Sequence, residues 1–113
     1  MVLERGDRLH IIERRYFSDD LRRHFVGEIL DCTEWVVRLK GYAWVFDAMT
    51  GQFVRKPERR ERIISLLDRL TINMIPPQVD LDAVKYVTDP HRGLVVTDEK
   101  SFFLEITEFT ALR

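Results

Sequence analysis

Apolar and polar residues alternate through residues 35–54, WVVRLKGYAWVFDAMTGQFV, and the alternation predicts a long strand, a tight turn and a returning strand. Trp35, Val37, Leu39, Gly41, Ala43 and Val45 fall on one face of the long strand, which is small and apolar after Trp35. Val36, Arg38, Lys40, Tyr42, Trp44 and Phe46 fall on the other, which is basic and then aromatic. Gly41, in mid-strand, permits sharp curvature or a close approach of another backbone. Asp47 to Gln52 form the turn, where Gly51 can supply a positive φ.

The same reading places a strand at residues 8–17 and another at 25–32, with Gly27 where the second strand bends. Between them, Ser18-Asp19-Asp20 predicts an N-cap and an acidic first turn for a short helical piece at 21–24. Residues 58–70 carry two signals. Ile63, Leu66, Leu67 and Leu70 stand at helical spacing, whereas the β-branched Ile63-Ile64 pair and a short loop at Asp68-Arg69 fit a strand. Residues 70–75 form a strand stopped by Pro76, and Pro76-Pro77 marks that strand end rather than a domain boundary. Residues 79–87 read as one helical turn or a loop. Asp89 to Gly93 is a turn, and residues 94–97 and 102–109 are two strands of a hairpin across Asp98 to Ser101.

Short, bent strands at this density predict a mainly β fold, a small, strongly bent barrel or partly open roll of about five to seven strands with one or two short helices. The 113 residues fit one domain, and 45% hydrophobic residues suffice for a core. The formal charge of −1 supplies no global attraction to nucleic acid or to membrane. Residues 1–62 carry 13 bases and 11 acids, and residues 63–113 carry 5 and 8, a weak asymmetry. Cys32 is the one cysteine, so no intrachain disulfide forms and a reducing compartment, the cytoplasm, is expected. The N-terminal residues hold no apolar signal core, and no apolar run is long enough to span a membrane.

Candidate chemistry is sparse. His10, His24 and His91 lie far apart and show no metal-ligand spacing, so neither a metal nor another cofactor is expected. No phosphate-binding loop, nucleophile elbow or paired-carboxylate signature is present, so nothing argues for an enzyme. The basic–aromatic face is the candidate binding surface. Tyr42 and Trp44 offer rings on which bases stack, and Arg38 and Lys40 offer charge for phosphates. The competing reading buries both rings in a core or an oligomer contact. Residues 55–62, with five bases and two acids, read either as a phosphate-contacting patch or as a solvated strand face.

Val37-Arg38-Leu39-Lys40, Gly41, Phe46-Asp47 and Met49 resemble the first motif of Sm and Sm-like proteins. That motif has a VxLK strand, a glycine, and Phe-Asp five residues after the glycine. The match covers about 20 of the 113 residues. Gly51-Gln52 stands where the family has an asparagine, and Arg69-Leu70 stands where its second motif has Arg-Gly. The resemblance implies a single Sm-like barrel domain over 1–113, with residues 76–113 an extension of the core barrel. It also makes residues 58–67 a strand, and we read them so against the helical spacing. It implies rings of identical subunits that bind single-stranded RNA, with Asp47 ordering the loop and Arg69 lining the pore. Tyr42, Trp44, Arg38 and Lys40 come from the face pattern instead. The alternative is a structural or adaptor protein that assembles with itself or a protein partner and touches no nucleic acid. In either case residues 71–75 and 102–109 are apolar enough to pair with a copy of the chain.

Overall fold

The computed structural model describes residues 2–106, and the chain divides after Pro77 into two compact units. Among the described residues, nine strands in two antiparallel sheets and one short 3-10 helix make it a mainly β protein.

The first unit holds β1 (Arg8–Glu13), β2 (Arg23–Cys32), β3 (Val36–Asp47), β4 (Gln52–Arg55), β5 (Arg60–Ser65) and β6 (Leu70–Ile75). The sheet runs β4-β3-β2-β1-β6, and β5 pairs with the first half of β3. β4 and β5 are therefore one returning strand, interrupted at residues 56–59. Pro57 sits in the interruption, where a residue without an N–H cannot serve a ladder. The strand expected over 58–67 forms as β5, because Ile64 reaches the core opposite Val37 while Ile63 faces out.

Alternation along β3 fixes the core. Val37, Leu39 and Ala43 are buried with Leu9, Ile11, Phe25, Ile29 and Ile64. Each of these side chains larger than Ala43 contributes roughly 1.5–3 kcal/mol when fully buried. Gly41 lies opposite Gly27, and the two backbones meet closely there. A Cβ on Gly41 would stand 1.9 Å from the Val26 carbonyl oxygen and 2.5 Å from Gly27 Cα. The mid-strand glycine thus serves a close approach. At the other end of the strand, Asp47 accepts bonds from Met49 N (2.9 Å) and Thr50 Oγ1 (3.2 Å), and Gly51 takes φ +72°.

The expected helical piece at 21–24 is absent. Asp20 Oδ2 accepts from Tyr16 N and Phe17 N, so the carboxylate caps the loop before it, not a helix after it. His24 pairs with Ile12 as β2 begins.

The second unit holds β7 (Lys85–Asp89), β8 (Gly93–Thr97) and β9 (Phe103–Glu105) in that order in one sheet. The helical turn is 3-10, Leu81–Ala83, capped by Asp80. β7 was not legible, since residues 79–87 read as a turn or loop. The hairpin across Asp98 to Ser101 forms as expected. Asp98 Oδ1 accepts from the backbone N–H groups of Lys100, Ser101 and Phe102, which hold its carboxyl below the usual range. Residues 107–109 of the expected last strand lie outside the described residues.

Candidate functional site

β3 sets Arg38, Lys40, Tyr42 and Trp44 on one side of the first sheet, yet their surroundings differ. Lys40 stands opposite Glu28 on β2 and Glu61 on β5. Arg38 stands opposite Asp31 and Ile63. Acids beside both bases reduce the positive potential that phosphates would feel. Trp44 is only 7% exposed and presents no ring to solvent. Tyr42 is half-buried, with Arg55 Cζ 4.4 Å and Arg59 Cζ 5.6 Å from its ring centroid. Asp47 closes the β3–β4 turn as described. Arg69 lies elsewhere, in the turn at 66–69, with its guanidinium 5.6 Å from the Tyr16 ring centroid. The structure therefore brings Tyr42 together with Arg55 and Arg59 and leaves Arg69 at a separate place.

The same side of the sheet carries two buried imidazoles. In the register His10 faces Val26, and His24 faces Trp44. The two rings meet edge to face with centroids 5.1 Å apart, and His24 lies 4.4 Å from Phe53. Asn73 Nδ2 is 3.2 Å from His10 Nδ1, a contact in which the amide donates to an unprotonated nitrogen. Burial lowers His10 to about 4. Burial lowers His24 to about 3, with His10 and Arg22 adding repulsion. Both rings are neutral at pH 7. The sequence holds no sign of this pair, because residues 10 and 24 come together only through the β1–β2 ladder.

A second surface gathers at the turn 66–69. Leu66 N donates to Trp35 O at 2.8 Å, and Arg14 N donates to Arg69 O at 3.0 Å. Tyr16 Oη donates to Asp68 Oδ1 at 3.4 Å. Three segments thus converge there, and each exposes a large apolar side chain: Trp35 at 55%, Tyr16 at 60% and Leu67 at 75%. Phe17 and Leu21 are exposed on the same loop as Tyr16. The alternation groups Trp35 with Val37 on the apolar face, but Trp35 precedes β3 and lies in the turn begun by Thr33. The usable signal was Thr33-Glu34, a polar pair that ends β2 before the ring.

Among the described residues no three His, Cys, Asp or Glu side chains cluster so as to hold a metal ion. No helix among them is long and apolar enough to cross a membrane. No family model, curated protein or solved structure matches this chain.

Proposed function

We propose that this chain is a non-catalytic, Sm-like small β-barrel protein that works by assembling with copies of itself, as a structural or adaptor protein. The barrel reading draws on the strand order, a five-part meander whose last strand, β6, returns to β1. It draws also on the turn 66–69, which is bonded both to the β2–β3 turn and to the end of β1.

The observation that carries the assembly reading is the exposed cluster of Trp35, Tyr16 and Leu67 on three segments tied to one turn. Trp and Tyr dominate the energetics of protein contacts, and monomers rarely leave such groups uncovered together. Tyr16, Phe17 and Trp35 alone leave on the order of 300–450 Å² open, at roughly 150–250 Å² per aromatic side chain. That is about half of the ~800 Å² one partner gives to a standard interface. Charges of both signs surround the cluster (Arg14, Glu34, Asp68 and Arg69), as a self-complementary contact requires. The RNA reading draws less support, because the acids beside Arg38 and Lys40 and the burial of Trp44 remove the open stacking face.

Light scattering at micromolar concentration should give the mass of several chains. Trp35→Ser with Leu67→Ser should convert the protein to a monomer with an unchanged circular dichroism spectrum. A wild-type monomer up to about 100 μM would overturn the assembly reading, since a specific contact of standard size holds well below that concentration.

A further inference from the structure

We propose that the outer edge of β6 pairs antiparallel with the same edge of a second copy, about a two-fold axis at Ile72. This rests on the self-assembly reading and adds a second contact to it. A self-complementary contact through the cluster at the turn 66–69 closes at two chains. A mass of several chains requires another such contact, and β6 supplies it.

The hydrogen bonds of β1 fix which way β6 directs its backbone. Ile29 N donates to Asp7 O at 2.8 Å, and Arg14 N donates to Arg69 O at 3.0 Å. Bonded pairs recur at every second residue of an antiparallel ladder. Leu9, Ile11 and Glu13 therefore bond to β2, while Arg8, His10 and Ile12 bond to Ile75, Asn73 and Thr71. Leu70, Ile72 and Met74 direct their N–H and C=O groups away from β1. Among the described residues no backbone bond reaches those outward groups.

The two edges of this sheet are made differently. β5 begins Arg60-Glu61-Arg62 and follows Pro57, and charge and proline guard an edge against pairing. β6 is Leu70-Thr71-Ile72-Asn73-Met74-Ile75, six residues with no charge, proline or glycine. Its alternating donors and acceptors are matched by an extended chain. The strand matches itself. With Ile72 against Ile72 of the partner subunit, Leu70 meets the partner's Met74 and Thr71 meets the partner's Asn73. Apolar side chains then lie against apolar ones on one face, and a hydroxyl lies against an amide on the other.

Six residues give a seam about 20 Å long and about 10 Å thick, roughly 200 Å² a side. That is about a quarter of the ~800 Å² one partner gives to a standard contact. The seam therefore forms between pairs already held by the cluster, where two seams support each other, and fails when the cluster is lost.

Light scattering and amide exchange on the full chain test the seam. Wild type should give the mass of four chains. The amides of Leu70, Ile72 and Met74 should exchange at least about tenfold more slowly in it than in the monomer made by Trp35→Ser with Leu67→Ser. In that monomer Thr71, Asn73 and Ile75 should stay slow, because they bond to β1. Met74→Pro removes one outward N–H and no bond to β1, and Met74→Lys puts a charge on the edge. Each should halve the mass, to two chains, with an unchanged circular dichroism spectrum. Met74→Lys carries the test if the proline variant unfolds. A wild-type monomer would overturn the assembly reading and the seam together. An unchanged multi-chain mass in both Met74 variants would overturn the seam alone. So would fast exchange at residues 70, 72 and 74 in the wild-type assembly, which would leave the edge to a strand of another protein.

Discussion

Gly41→Ala is expected to abolish the native fold. The added carbon would stand 1.9 Å from the Val26 carbonyl oxygen and 2.8 Å from its carbon. These are backbone atoms of the neighbouring strand, so no rotamer change relieves the clash. Relief requires β2 and β3 to separate at the Gly27–Gly41 pair, in the middle of the longest ladder of the sheet. A cost above about 4 kcal/mol places the change among the rare severe substitutions. It would consume much of the roughly 5–15 kcal/mol that holds a domain together. A melt of any soluble Gly41→Ala protein should show a loss of more than about 15 °C. Gly51→Ala provides the contrast. Nothing lies within 4 Å of its added carbon, and only the φ of +72° is strained, so its cost is about 1 kcal/mol. Equal melting temperatures for wild type and Gly41→Ala would refute the close approach.

Acid should unfold the first unit well above the range set by its carboxylates. His10 and His24 are held at about 4 and about 3, against an ordinary 6.5. These are bases with lowered values, so the unfolded chain binds protons first as pH falls. The stability they confer is complete above pH 7 and is lost as pH drops through 6.5 toward 4 and then 3. With two extra protons on the unfolded chain, the slope between about pH 6 and pH 4.5 approaches 2.7 kcal/mol per unit. Protonation of His10 Nδ1 would also set two donors, that nitrogen and the Asn73 amide, against each other. Urea unfolding at a series of pH values measures the slope. His10→Gln, which can keep a bond to Asn73, should remove about half of it. Stability that is flat from pH 7.5 to pH 5 would show that the imidazoles are not held neutral by burial.

Much of the architecture was legible because β structure writes itself with a period of two. The alternation of Val37, Leu39 and Ala43 shows both the face and the core, and Gly41 marks curvature or a close approach, but that Gly27 is its partner emerges only from the register. The strand at 58–67 rests on the motif resemblance against a helical spacing, and it forms because, of the Ile63-Ile64 pair, Ile64 enters the core while Ile63 faces out. Leu66 and Leu67 belong to the turn that follows. The misses share a cause. Asp19-Asp20 resembles a helix cap, but a carboxylate can accept from the residues before it as readily as from those after it. β7 went unread because Lys85 to Asp89 alternate weakly, and their pairing partner lies beyond the next turn. On the candidate surfaces, charge type was legible and charge context was not. Glu28 and Glu61 come beside Lys40 only through two separate ladders, and Arg55 and Arg59 come to the Tyr42 ring from the two sides of the interruption at Pro57.

The unequal lengths of the connections fix an order of events. β2 and β3 are joined by Thr33, Glu34 and Trp35, and Thr33 closes the connection with bonds to the amides of Trp35 and Val36. The β1–β6 ladder instead sets Glu13 against Leu70 and Arg8 against Ile75, across most of the unit. Closing the short loop costs far less chain entropy than closing the long one. The β2–β3 hairpin is therefore expected to nucleate the sheet, with β6 docking late. Thr33→Ala should slow folding and leave unfolding nearly unchanged, whereas Ile72→Val, on β6, should speed unfolding and leave folding nearly unchanged. By the same reasoning β6 is the expected place for this sheet to open, which amide exchange along residues 70–75 would report.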